Sequence, residues 1–209
     1  MKFKLLLWLV MMALLSSCQK KTKTNFYYPN LQAFERVSNI DTIRLSSYAS
    51  FDEFLSDMWN FYRTKPRKTP VVLLEKNDQR FFIKYSNGWD HQPHIVKIKN
   101  QIGISKDSVY KWERFYPIDS LKSLLKKDLF NNGANNKLAD NPQSFRIRLL
   151  HPNKKTMQDI EDSLLHLLDI YNEINTQVND SLQLNIDLQE FVILKQPALV
   201  EKLIEMISD

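Results

Sequence analysis

The sequence predicts an α+β fold in which antiparallel hairpins carry amphipathic helices packed on one face. Three observations point there. Stretches such as Phe145 to Leu149 and Leu182 to Leu188 alternate apolar and polar residues with the period of a half-buried strand. Other stretches place apolar residues three and four apart, the spacing of one helix face. The two kinds follow one another without the regular strand–helix–strand rhythm of a doubly wound parallel sheet.

Taken in order, NLQAFERV from Asn30 predicts a short capped helix, and DTIRLSSY alternates weakly as a strand. Ser50 opens SFDEFLSDMWNFY, and Ser50 with Glu53 fits a capping box. Phe51, Phe54, Leu55, Met58, Trp59 and Tyr62 form the apolar stripe of that helix, which ends at the two prolines of RTKPRKTP. Val71 to Glu75 and Arg80 to Tyr85 read as a hairpin around Lys76-Asn77-Asp78-Gln79. A second hairpin is expected from Ile95–Ile98 to Ile102-Gly103-Ile104, then a strand in SVYKWERFY. Pro117 introduces a helix with Ile118, Leu121, Leu124, Leu125 and Leu129 on one face. Lys126 and Lys127 lie near its negative end, and Asn131-Asn132-Gly133 stops it. The loop NNGANNKLADNP leads into SFRIRLL, a strand closed by His151-Pro152. Thr156 starts the longest helix, with Met157, Ile160, Leu164, Leu167, Leu168, Tyr171, Ile174 and Val178 as its stripe. The strand LQLNIDL and a last helix, PALVEKLIEMI with Pro197 in its first turn, complete the pattern.

The N-terminus reads as an address. Lys2 and Lys4 precede an unbroken apolar run from Leu5 to Leu15, then Ser16, Ser17 and Cys18. Eleven apolar residues fall short of the roughly 20 that cross a bilayer as a helix. A charged start, short apolar core and small residues describe a secretory signal peptide. Leu15-Ser16-Ser17-Cys18 further resembles the bacterial lipobox. That resemblance implies a diacylglyceryl thioether on Cys18, cleavage before it, and usually a palmitate-like acyl chain on the new amino group. A free, buried cysteine is the ordinary reading of a lone thiol, but the position of Cys18 behind this run argues against it. The expected organisation is a signal peptide over 1–17, the lipidated Cys and a flexible tether over 18–29, and one α+β domain over 30–209. The resemblance implies that the membrane is a partner through the lipid on Cys18. Gln19, where a retained inner-membrane lipoprotein carries Asp, resembles outer-membrane sorting.

Composition bounds the rest. Removing residues 1–17 takes away Lys2 and Lys4, leaving 27 basic against 24 acidic side chains, a mild net of +3. No cluster reaches the density of a nucleic-acid-binding arm. Cys18 is the only cysteine, so the domain has no internal disulfide. With Gly88, Gly103 and Gly133 as the only glycines, the phosphate-cradling glycine loops and the nucleophile elbow are absent.

The best local site candidate is NGWDHQPH, where Asp90, His91 and His94 offer three ligands to a metal, although the spacing matches no zinc motif. A solvated turn is the alternative. His166 sits beside the stripe of the long helix, and Arg146 with Arg148 share one strand face suited to a carboxylate or phosphate. Asp159, Glu161 and Asp162 supply acids. No cofactor is expected. The order hairpin, helix, strand, long helix, strand from His94 to Leu188 loosely resembles the periplasmic domain of ExbD/TolR proteins, carried by VKIKNQIGISKDS, YPIDSLKSLLKKDL, NPQSFRIRLL and DIEDSLLHLLDIYNEI. The resemblance implies an envelope-complex component. Those proteins keep a transmembrane helix with a functional acid, which this chain lacks in its apolar segment. The reading is a lipid-anchored envelope protein with a non-catalytic binding or assembly role toward an envelope protein or polymer. An envelope hydrolase is the rival.

Overall fold

Among the described residues, three of the four α-helices start at a side chain that accepts from a loose backbone N–H group. The computed structural model describes residues 23–37, 39–85, 97–177 and 182–191. Asn30 caps α1 (Leu31–Glu35) by accepting from Ala33 N–H at 2.9 Å. Ser50 caps α2 (Phe51–Thr64) by accepting from Glu53 N–H, while Glu53 accepts from Ala49 N–H at 2.7 Å, one residue outside the expected box. Thr156 and Asp159 form a full reciprocal box at the head of α4 (Met157–Asn175). Such caps are each worth about 1 kcal/mol. The remaining helix, α3 (Leu121–Leu129), follows a 3₁₀ turn at Ile118–Ser120.

The strands form two mixed sheets. β1 (Thr24–Tyr28), β2 (Ile40–Ile43), β3 (Thr69–Lys76) and β4 (Gln79–Lys84) are ordered β1-β4-β3-β2. β5 (Gln101–Ile104), β6 (Ser108–Lys111), β7 (Arg114–Pro117), β8 (Arg146–Leu149) and β9 (Ile186–Glu190) are ordered β7-β6-β5-β8-β9. Hairpins supply the antiparallel pairs β3/β4, β5/β6 and β6/β7. Helical crossovers supply parallel pairs: α2 links β2 to β3, and α4 links β8 to β9. The protein is α+β, and one continuous core joins both sheets. Phe51, Phe54 and Met58 of α2, Leu121 and Leu125 of α3, and Leu164, Leu167 and Leu168 of α4 are all essentially inaccessible. Burying side chains of this size contributes about 1.5–3 kcal/mol each.

Several expectations change. Residues 24–28, assigned to the tether, form β1, which pairs in parallel with β4 from Thr24↔Gln79 to Tyr28↔Ile83. In α2 it is Phe61 that is buried and Trp59 that is exposed, so the stripe runs 51, 54, 58, 61. Ile98 lies in a 3₁₀ turn instead of a strand, and β5 pairs forward with β6. SVYKWERFY is a hairpin rather than one strand. Trp112 and Glu113 take φ values of 51° and 62° at its tip. Those angles are the ones a tight type I′ turn asks of both central residues, normally Asn or Gly, so no turn signal was visible. The strand expected from Leu182 begins only at Ile186. Ile95, Val96, Val178 and the segment from Pro197 lie outside the described residues.

Candidate functional site

Three features of the described residues gather chemical groups. The first is an open groove of about 530 Å³ along β2, an edge strand of its sheet. Asp41, Thr42, Ile43 and Arg44 supply one wall, Asp57, Phe61 and Lys65 of α2 the other, with Ser47, Tyr48 and Leu73 between. Its charges are held in pairs. Asp41 Oδ2 meets Lys65 Nζ at 2.9 Å and Lys68 Nζ at 3.3 Å, and the Lys65 bond holds the Asp41 carboxyl below its usual range. Tyr48 donates to Asp57 Oδ2 at 2.6 Å; burial first, then Asp57, pushes the phenol up. The groove therefore offers a strand edge, an apolar floor and fixed charges of both signs, a surface suited to an extended chain.

The second feature is Glu75, near the C-terminal end of β3. Its carboxylate takes Lys23 Nζ at 3.0 Å, Arg80 Nε at 2.9 Å and Arg44 Nη1 at 3.0 Å. Those three hydrogen bonds bring its pKa down to about 2. Asp140 is gripped comparably by Lys99, by Asn100 Nδ2 at 3.1 Å and by Lys97 Nζ at 3.1 Å, which hold its carboxyl well below the carboxylate range.

The third is a buried ion pair. Lys111 of β6 and Asp128 of α3 are both inaccessible, with Nζ 3.0 Å from Oδ2. Lys111 also donates to the carbonyls of Lys99 at 2.6 Å and Gln101 at 3.1 Å, while its contact with Asp128 Oδ2 is an ion pair that leaves that oxygen without a hydrogen bond. Its Nζ lies 5.2 Å from the Phe145 ring centroid and 5.6 Å from that of Trp112. Asp128 Oδ1 accepts from Ala139 N–H at 2.8 Å. Burial pushes Lys111 down and Asp128 up, and each partner's charge opposes the shift in the other. The pair ties β6, α3 and the 131–140 loop together. Asn131 supports the same loop by donating to the carbonyls of Ala139 and Asn135. The pair was missed on the sequence, yet it left a signal. Lys111 has the inward parity of Val109, and Asp128 lies on the face of Leu121, Leu124 and Leu125.

Of the residues singled out by sequence, Cys18, Asp90, His91 and His94 lie outside the described residues. Among the described residues no three His, Cys, Asp or Glu gather as metal ligands, and no helix is long and apolar enough to cross a membrane. His166 is exposed on α4. Arg146 and Arg148 share the outer face of β8 as expected but are engaged separately. Arg146 donates to the carbonyls of Gln143 at 2.6 Å and Phe145 at 3.0 Å, whereas Arg148 Nε stands 3.5 Å from Asp187. Asp159 serves its helix cap and Lys106, whose hydrogen bond leads in lowering it to about 2. Asp162 accepts from Gln158 at 2.9 Å, and burial raises Glu161. These acids support the start of α4 instead of facing one another across a cleft. In comparisons with family models, curated proteins and solved structures, nothing matches the chain.

Proposed function

We propose that this chain is a lipid-anchored protein of the bacterial cell envelope whose α+β domain has a non-catalytic binding or assembly role. The observation that carries the reading is Leu15-Ser16-Ser17-Cys18 at the end of a charged and apolar leader, with Gln19-Lys20-Lys21-Thr22 behind it. The first strand starting at Thr24 supports it, because the lipidated residue then stands directly before the fold. Two or three acyl chains, at about 0.8 kcal/mol per buried CH₂, hold a protein far more firmly than one. Gln19 favours the outer membrane as the place. Cells fed labelled palmitate are expected to label the wild-type chain and not Cys18→Ala; label retained by that variant sinks the anchor.

The groove along β2 is the surface on which the binding role rests, with an extended segment of an envelope protein as its occupant. A free strand edge donates and accepts main-chain hydrogen bonds, and the flanking charges set register. Asp41→Lys with Arg44→Glu reverses two groove charges, one at half-buried Asp41 and one at exposed Arg44. It is expected to release whatever co-purifies with the solubilised protein while thermal unfolding stays nearly unchanged. Undiminished recovery removes the groove from the reading.

A further inference from the structure

We infer that the end of the four-stranded sheet formed by the β3–β4 turn and the start of β1 faces the bilayer, resting on the headgroups of the membrane that holds Cys18. The inference rests on lipidation of Cys18 and extends it from an address to an orientation.

Reach carries the argument. Lys23, the first described residue, is five residues from Cys18, and five residues span at most about 18 Å. A compact body of about 150 residues, the number the structure describes, has a radius of gyration of about 15 Å, equivalent to a sphere of about 19 Å radius. A sphere of that size kept outside the bilayer, and tied at a surface point within about 18 Å of it, always carries that point on its membrane-facing half. The tie point is fixed in the fold rather than loose. Thr24 N–H bonds Asp78 O at 2.8 Å, Thr24 pairs with Gln79, and Lys23 is clamped to Glu75.

The chemistry of that end suits headgroups better than acyl chains. Lys23, Arg44, Lys76, Asn77 and Asp78 are all exposed. Arg44 and Arg80 hold Glu75 beside Lys23, and Lys76 is matched by Asp169 of α4. A polar surface of mostly paired charges stays hydrated and lies at the interface without inserting. The opposite end of the sheet carries Arg67 and Lys68. It is separated by the eight residues of β3, about 26 Å of strand, and points away from the membrane.

The test uses full-length lipidated protein in vesicles of phosphatidylethanolamine and phosphatidylglycerol with an acceptor dye on the headgroups. A donor dye is placed at Lys76→Cys or at Arg67→Cys. Energy transfer from position 76 is expected to exceed that from position 67 several-fold. Inserting about 20 Gly/Ser residues after Lys21 is expected to bring the two toward equality. Protein that carries no lipid and fails to float with the vesicles overturns the anchor, and this orientation with it. Protein that floats but transfers equally from both sites overturns the orientation alone. A difference that survives the long tether overturns the argument from reach.

Discussion

The two sheets use charge in opposite ways. In the four-stranded sheet, Glu75 collects three cations at an exposed end, where water competes for every partner. In the five-stranded sheet, Lys111 and Asp128 meet where no water reaches either of them. Separations are alike, about 3.0 Å in both, so distance does not separate the two cases. Desolvation does. An exposed ion pair contributes about 0.2–1 kcal/mol, while a buried charge stripped of its partner costs about 3–5 kcal/mol. The exposed cluster is an adjustment to a sheet that hydrophobic burial already holds. The buried pair decides where β6, α3 and the 131–140 loop sit.

The strongest way to break this contrast is Lys111→Met. It leaves Asp128 buried without its counter-charge, and urea unfolding is expected to show a loss of about 3–5 kcal/mol at pH 7. With the lysine gone, burial keeps the folded-state pKa of Asp128 above its unfolded value. The loss should therefore shrink as pH falls and the carboxyl protonates in both states. Adding Asp128→Asn, which still accepts from Ala139 N–H, is expected to recover most of the stability. A double variant no better than the single one contradicts the desolvation account.

A smaller effect probes the outer face of the same sheet without touching charge. A Cβ on Gly103 would stand 2.7 Å from Leu150 Cδ2 and 3.0 Å from Phe191 Cγ. Gly103→Ala is expected to cost about 1–3 kcal/mol, and combining it with Leu150→Ala should cost less than the sum of the two. Strict additivity in the unfolding midpoints would show that Gly103 is not tightly packed there.

The smallest effect belongs to Glu75. Its folded pKa of about 2 lies below its ordinary value of 4.5. Its contribution is thus complete above pH 4.5 and fades as pH falls toward 2. Because the site is exposed, Glu75→Gln is expected to cost less than about 1 kcal/mol, and less again in high salt. NMR titration should place the Glu75 midpoint below 4.5 and show it rising in Arg80→Gln. A midpoint that stays put excludes Arg80 as a partner.

What the sequence made legible follows the same division. Helices declare themselves through periodicity and caps, and Thr156 to Ile174 and Ser50 to Phe54 were readable residue by residue. Strand pairing depends on contacts remote in sequence. Nothing in TNFYY announces a parallel partner fifty residues on, and nothing in Trp112-Glu113 announces a left-handed turn. Lys111 and Asp128 each broke an apolar pattern, and that irregularity was the only trace of their contact. The groove was invisible for the same reason, because its walls come from β2 and α2 and only the crossover brings them side by side.

The parallel pairing of β1 with β4 also has a mechanical meaning. Tension on the N-terminal segment enters β1 at Thr24 and runs along the strand axis, so it loads the rows from Thr24↔Gln79 to Tyr28↔Ile83 in shear, together. The stacked rings of Phe26 on Phe81 and Tyr27 on Phe82 resist the same slide. An antiparallel β1 entering from the far end would instead peel open one bond at a time. A strand paired this way bears a pull applied along its own axis.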